Sequence, residues 1–317
     1  MRIIIDKGIP FLEGVLSPYG EVLFLSPEQI DARAVRDADA LFVRTRTRIN
    51  KELLHGSRVR FVATATIGFD HIDQDYCQQA GIHWVSCPGC NAQAVCDYVE
   101  EVLDTMTLAS DHPTMGVVGY GHVGRLVAEM ATRKGYRVLL SDPPLGIGEQ
   151  LSTMAPQCDI ISLHTPLTRD GSHPTYHMCD ASVLASCQPH ALIINAARGG
   201  VIDENALYNH LLSPQGKEMR TAIDCWQNEP HIHTALLQRA NLASFHIAGY
   251  SIAGKMKASE MCLHAFCKFF SLPILSINKK AVPLQGDSTS GWLTRVSQQL
   301  KSQPEAFEQL RKKYTLR

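Results

Sequence analysis

Little in this chain of 317 residues is one-sided. Neither sign of charge is in excess: 30 Lys and Arg stand against 31 Asp and Glu, for a net charge of -1. With an isoelectric point near 6.9, no general attraction to nucleic acid or to an anionic membrane surface is expected. Long apolar runs are missing, which excludes a membrane-spanning helix. The opening MRIIIDKG has no apolar core of the length an export signal needs, because Asp6 and Lys7 end it after three isoleucines, so a cytoplasmic protein is expected. Ten cysteines are scattered along the chain, and only Cys87-Pro-Gly-Cys90 has the two-residue gap of a metal or redox pair. No second such pair completes a four-ligand site, so no metal is expected and the thiols read as reduced packing residues. Low-complexity tracts and solenoid-spaced repeats are also missing.

What is present is a globular balance, 45% hydrophobic and 19% charged, in a length that suits about two domains. Short runs rich in Ile, Val, Leu and Phe alternate with helical patterns. In the first part Arg2–Ile5, Glu21–Phe24, Ala40–Val43 and Arg60–Ala63 read as buried parallel strands, with helical stretches Lys51–His55 and Ile72–Ala80 between them. A long helical pattern over Ala92–Ser110 links to a second alternation, with strands expected at Thr114–Val118, Arg137–Leu140, Ile160–Leu163, Leu192–Ile194, Thr221–Ile223 and Leu242–Phe245. Helical segments Val123–Arg133 and Glu204–Leu211 separate them, and a further helix over Ala253–Phe270 could return to the first domain. The expected class is α/β: two doubly wound parallel-sheet domains of Rossmann or flavodoxin type with a short C-terminal extension. The division expected is 1–94 with 253–272 as a substrate-binding lid domain, 95–252 as the dinucleotide-binding domain, and 273–317 as a tail too short for its own core. That tail holds a loop-like SINKKAVPLQGDSTSG followed by a charged helical end.

The clearest motif is Gly119-Tyr-Gly121-His122-Val123-Gly124, between strand MGVV and a helical pattern. A lone GxGxxG is weak; between strand and helix it has a mechanism. Gly119 permits a tight turn, Gly121 lets the backbone approach a pyrophosphate, and Gly124 lets helix and strand pack closely. The helix N-terminus then offers free N–H groups to the phosphates. Asp142 ends the next strand, 18 residues beyond Gly124. A carboxylate there accepts from both ribose hydroxyls and repels a 2′-phosphate, and no arginine adjoins it, so the cofactor expected is NAD rather than NADP.

Oxidising a 2-hydroxy acid requires a group that holds the carboxylate, a base for the hydroxyl proton, and a partner that orients the base. Three segments, each just past an expected strand, supply them. Arg198 in Ala197-Arg-Gly-Gly200 offers a donor fork for a carboxylate. His246 is the candidate general acid/base, and Glu229 its partner, expected to favour the imidazolium and fix the tautomer. Each residue alone is more often structural; their joint occurrence behind a dinucleotide loop gives them weight.

The strings GYGHVG, HTPL, NAARGGVIDE, AIDCWQNEP and FHIAGYS resemble the D-isomer-specific 2-hydroxyacid dehydrogenases. A narrower likeness, over VRTRTRIN (43–50), FVATATIGFDHID (61–73), PGCNAQAVCDYVEE (88–101), SDPP (141–144) and HIAGYSIAGK (246–255), is to a branch acting on a phosphorylated acid. It covers roughly residues 1–270 and returns weakly at Phe307–Leu316. The resemblance implies oxidation of 4-phospho-D-erythronate at C2 to 2-oxo-3-hydroxy-4-phosphobutanoate, in pyridoxal 5'-phosphate (vitamin B6) biosynthesis. It implies Arg198, Glu229 and His246 as the active-site trio, Asp142, Thr165, Asp224 and Gly249 as NAD contacts, and Thr45, Thr66 and Tyr250 as substrate contacts, with Thr45 standing where serine is expected. Arg44 or Arg46 would add positive field for the phosphate. A homodimer is implied, held by a C-terminal domain of which only a shortened form is present, with the active site made upstream of it. Two other readings stand beside this one: a sibling enzyme for 3-phosphoglycerate, glycerate or lactate, and a non-catalytic NAD-responsive binding protein such as a corepressor.

Overall fold

The computed structural model describes residues 1–106, 112–277 and 291–315. In chain order the elements are β1 (Arg2–Asp6), β2 (Glu21–Leu25), β3 (Ala40–Val43), α1 (Lys51–Leu54), β4 (Phe61–Thr64), α2 (Gln74–Gln79), β5 (His83–Val85), α3 (Ala92–Thr105), β6 (Thr114–Val118), α4 (His122–Arg133), β7 (Arg137–Asp142), β8 (Ile147–Gly148), α5 (Leu151–Met154), β9 (Ile160–Leu163), α6 (Ala181–Ser186), β10 (Leu192–Asn195), α7 (Glu204–Leu212), β11 (Arg220–Ile223), α8 (Thr234–Arg239), β12 (Leu242–Ala243), α9 (Ile252–Phe269), α10 (Trp292–Ser302) and α11 (Phe307–Lys313). The strands expected from apolar runs are all present, with ends shifted by one or two residues. Two were not expected: β5, only three residues long, and β8, a two-residue strand containing a glycine. The last stretch of the expected helix beyond Met106, and most of the loop-like 276–291 segment, lie outside the described residues.

The chain divides into two compact units, Met1–Asn91 with Ser251–Leu284, and Ala92–Tyr250 with Gln285–Arg317. The first holds a five-stranded sheet in the order β2-β1-β3-β4-β5, all parallel. Side chains alternate across it with the period of two that a pleated strand imposes. Ile3, Ile5, Ala40, Phe42, Phe61 and Ala63 face one apolar cluster, with Cys262, Leu263 and Phe266 of α9. Ile4, Leu41, Val43 and Val62 face the other, with Leu53, Leu54 and Cys77. Both faces are covered, so the strands read as unbroken apolar runs.

The second unit holds a seven-stranded sheet in the order β12-β11-β10-β9-β6-β7-β8. Only the β7–β8 pair is antiparallel. The strand order reverses at the β6–β9 pair, and in such a sheet ligands bind outside the carboxyl ends of the strands at that reversal. The C-terminal segment, expected as a shortened dimerisation region, joins this unit. Trp292, Leu293, Leu300 and Phe307 are buried in its apolar core, because α10 presents an apolar stripe to the short edge strand β12, and the Ala243 N–H donates to the Ser297 hydroxyl at 3.0 Å.

Cys87 packs against Cys262 (3.4 Å, Sγ to Sγ) and the Ala258 carbonyl, while burial pushes the Cys90 thiol up to about 12. The Cys90 thiol is thereby held protonated. Among the described residues no helix is long and apolar enough to cross a membrane.

Candidate active site

The glycine loop lies at the strand-order reversal. Gly119 follows β6 with φ +89°, and a Cβ on it would come within 2.7 Å of the His164 carbonyl oxygen and 3.1 Å of Thr165 Cγ2. The chain leaving β9 at His164-Thr165 therefore forms the other wall of the crevice, which brings Thr165 to the loop. A Cβ on Gly124 would sit 1.8 Å from the Gly119 carbonyl oxygen, the close packing of helix on strand. Gly121 differs: a Cβ there meets no atom within 4 Å. It is the N-cap of α4 and supplies no side-chain cap to the first N–H groups of that helix. That combination fits a pyrophosphate at a helix N-terminus. Asp142, at the end of β7, accepts from the Tyr120 N–H at 2.7 Å through Oδ2. The carboxylate is thereby fixed beside the loop.

The acid–base pair stands at the other side of the reversal, beyond β11 and β12. His246 Nδ1 is 2.8 Å from Glu229 Oε2 and 3.1 Å from Oε1. The Trp226 N–H donates to Glu229 Oε1 at 2.9 Å. Burial raises the affinity of the Glu229 carboxyl for its proton, but His246, the Trp226 N–H and the Arg311 guanidinium together outweigh it and hold the group below its ordinary range. An ionised Glu229 accepting at Nδ1 sets the imidazole tautomer and leaves Nε2 as the candidate proton-exchanging nitrogen.

His246 sits at φ +59°, a left-handed conformation that costs a non-glycine residue about 1–2 kcal/mol. Asp224 enforces it. Its backbone carbonyl accepts from the His246 N–H at 2.9 Å, and its carboxylate accepts from the Ile247 and Ala248 N–H groups at 2.7 and 2.9 Å. Ser244 Oγ donates to Asp224 Oδ1 at 2.6 Å, so the Tyr98 hydroxyl, 2.8 Å from Ser244 Oγ, donates to it. Asp224, expected as an NAD contact, has both carboxylate oxygens engaged in bracing the histidine turn.

Arg198 follows β10. Its Nη1 donates to the Ala197 carbonyl at 2.8 Å, leaving the rest of the fork for a ligand. Asn195, the last residue of β10, ties this loop to the glutamate loop: its Nδ2 donates to the Arg198 and Cys225 carbonyls at 3.1 and 3.0 Å. Gly199 is required where the loops touch, since a Cβ would lie 1.9 Å from the Trp226 carbonyl oxygen.

Comparison with known proteins fits this arrangement. Residues 98–248 match the family model of the D-isomer specific 2-hydroxyacid dehydrogenase NAD binding domain. The erythronate-4-phosphate dehydrogenase of Bacteroides thetaiotaomicron is 39% identical over 338 aligned positions, spanning 100% of this chain and 97% of that protein. The enzyme of the same name from Pseudomonas entomophila is 43% identical over 284 positions, 86% of this chain and 73% of its own length. The chain belongs to the erythronate-4-phosphate dehydrogenase group of the D-isomer-specific 2-hydroxyacid dehydrogenase family. Among solved structures, NAD+-bound 3-phosphoglycerate dehydrogenase of Entamoeba histolytica superposes with a TM-score of 0.72 at 22% identity, over 86% of this chain and 95% of that one. That likeness is one of fold.

In this dehydrogenase Thr45 and Thr66 lie just beyond the carboxyl ends of adjacent strands β3 and β4. The Thr66 hydroxyl donates to the Gly68 carbonyl at 2.9 Å, so it accepts from Thr64 at 2.7 Å, and Thr64 in turn accepts from His71 Nε2 at 3.0 Å. Burial lowers the proton affinity of His71, so a neutral imidazole anchors the chain that orients Thr66. Arg44 is not a loose surface cation: its Nε and Nη2 both donate to the buried carboxylate of Asp6 at 2.9 Å. Tyr250 accepts from Arg311 Nε at 3.0 Å. Gly249 closes the histidine turn just before Tyr250.

Asn195, Ser244, Glu204 and Arg311 were not expected from sequence. Asn195 carried a usable signal, a polar residue closing an otherwise apolar strand. Glu204 carried another: it adjoins the N-cap residue Asp203 at the start of α7 yet is only 6% exposed. Its Oε1 accepts the Gln227 N–H at 2.6 Å, two residues from Glu229.

Proposed function

We propose that this dehydrogenase oxidises 4-phospho-D-erythronate at C2 to 2-oxo-3-hydroxy-4-phosphobutanoate, with NAD as acceptor, in pyridoxal 5'-phosphate biosynthesis. The observation that carries the reading is the 2.8 Å pair of His246 and ionised Glu229 at the carboxyl end of the dinucleotide-binding sheet, in a chain 39% identical to an erythronate-4-phosphate dehydrogenase along its whole length.

When bound, NAD supplies the acceptor for the hydride that leaves C2. The helix N-terminus at Gly121–Gly124 holds its pyrophosphate, Asp142 its adenosine ribose, and Thr165 lines the crevice. Arg198 binds the substrate carboxylate through the donors that Ala197 does not use. His246 Nε2 takes the C2 hydroxyl proton as the carbonyl forms. Glu229 compensates the imidazolium, so the proton moves to a base whose charged form is already matched. Thr45, Thr66 and Tyr250 contact the remainder of the substrate. Support for a phosphorylated acid comes from Arg44 and Lys255 in the first unit. Burial, with the Arg44 charge nearby, holds the Lys255 ammonium below its ordinary range. Family membership supports a cytoplasmic homodimer, which light scattering on the purified protein reads directly.

The test offers purified protein 4-phospho-D-erythronate, 3-phosphoglycerate and D-lactate with NAD and follows NADH. Turnover confined to a non-phosphorylated acid refutes the substrate. Asparagine is the informative replacement for the base, because it tolerates left-handed backbone. His246→Asn is expected to lower turnover by at least about 10²-fold with NAD binding retained; undiminished turnover assigns the base elsewhere.

A further inference from the structure

The expected site residues all lie upstream of the tail, yet the tail docks beside them. α10 is held along the edge strand by the Ser297 bond to Ala243, by Lys301 Nζ donating to the Ala240 carbonyl, and by Gln238 donating to the Lys301 carbonyl at 2.9 Å. The Trp292 ring packs edge-on to Tyr98 at 6.1 Å. α11 continues over the same core with Phe307 and Leu310 buried. The Tyr314 ring meets Phe245, the residue before His246, at 5.9 Å. This seating delivers Arg311 to the acid–base pair. Its Nε donates to the Tyr250 hydroxyl at 3.0 Å, its guanidinium carbon is 5.6 Å from the Tyr250 ring centre, and its Nη1 is 3.9 Å from Glu229 Oε2.

We propose that Arg311, carried by the C-terminal helix, is a positioning residue of the acid–base site: it clamps Tyr250 and serves as the second cation of Glu229. The proposal rests on His246 and Glu229 being the catalytic pair. Before proton transfer the imidazole is neutral, and the buried Glu229 carboxylate then depends on Arg311 for a counter-charge. After transfer the imidazolium and the guanidinium share one carboxylate and repel each other. Arg311 thus favours the neutral, proton-accepting form of His246, the form that oxidation requires. Glu229 is faced by His246 from the turn after β12, by Arg311 from α11, and by Glu204 from the start of α7. The same Arg311 Nη1 is also 3.9 Å from Glu308 Oε2 in its own helix.

The test compares the full chain with Arg311→Met and Arg311→Lys. The His246 imidazole is titrated by NMR in the absence of substrate, and the pH profile of kcat/KM is measured with the accepted acid. Arg311→Met is expected to move the His246 titration and the acid limb of the profile upward by about one pH unit, an effective dielectric near 20 being discounted for a partly exposed cation. On the acid limb kcat/KM falls by the matching factor of about tenfold, and the plateau at higher pH is not lowered by this shift. Arg311→Lys is expected to restore the titration, because the charge returns, but to retain a raised KM, because lysine lacks the fork that holds Tyr250 and contacts Glu229 together. Arg311→Gln takes the place of the methionine variant if that one does not fold. An unmoved titration and an unmoved acid limb in a folded, uncharged variant overturn the proposal. The NMR titration needs no substrate, so it decides the role of Arg311 even if 4-phospho-D-erythronate is not turned over.

Discussion

Glu204→Gln isolates one buried charge beneath the catalytic loop. Burial, against the opposing Gln227 N–H and with the charges of Glu229 and Asp203 adding, pushes the Glu204 carboxyl up to about 7. Its ordinary value is 4.5. The folded protein therefore holds a proton here that the unfolded chain releases from about pH 4.5 upward. The associated stability is fully present below pH 4.5 and is lost as pH rises through 7. Integrated between pH 5 and pH 8, the loss is about 2.5 kcal/mol. Glutamine cannot ionise, yet its Oε1 still accepts from the Gln227 N–H that Glu204 binds at 2.6 Å. Urea unfolding of wild type and Glu204→Gln at pH 5 and pH 8 measures the difference. The variant is expected to gain on wild type by about 2.5 kcal/mol across that interval. Equal pH slopes for the two proteins would show that Glu204 is ionised without penalty, and the account of the loop's support would fail.

Gly121 and Gly124 belong to one motif but should respond differently. Gly121→Ala meets open space, so its melting temperature should stay close to wild type while NAD affinity falls about tenfold or more, a methyl occupying the phosphate approach. Gly124→Ala drives a methyl into the Gly119 carbonyl and should destabilise by about 1–3 kcal/mol; calorimetry with NAD titration separates the two, and equal effects on both quantities would refute the distinction. Asp142→Ala should narrow the preference for NAD over NADP in kcat/KM, since it removes the carboxylate that repels a 2′-phosphate. An unchanged ratio would assign that selectivity to other groups.

Much of the site was legible in sequence because its parts are local. A glycine loop between strand and helix, and short polar strings after apolar runs, report backbone geometry within a few residues. GYGHVG accordingly sits at the strand-order reversal, and Arg198 and Glu229 lie just past β10 and β11, with His246 just past β12. The weak points were short elements. The three-residue β5 and two-residue β8 are too brief to impose a period of two, and they form because a neighbouring strand is already in place.

Taken alone, the order of residues determined the α/β class, the dinucleotide loop and the family, and it singled out the candidate acid–base pair. Each is encoded by patterns whose physics acts over one strand–loop–helix unit. Tertiary structure alone decided what those residues lean on. Asp224 proved to brace the His246 turn, Asn195 stitched two loops whose sequences are 30 residues apart, and Arg311 came to Tyr250 across 61 residues. Hydrogen bonds and ion pairs of that span leave no periodic trace in sequence, because their partners meet only after the sheet has ordered its strands and the last helices have covered its edge.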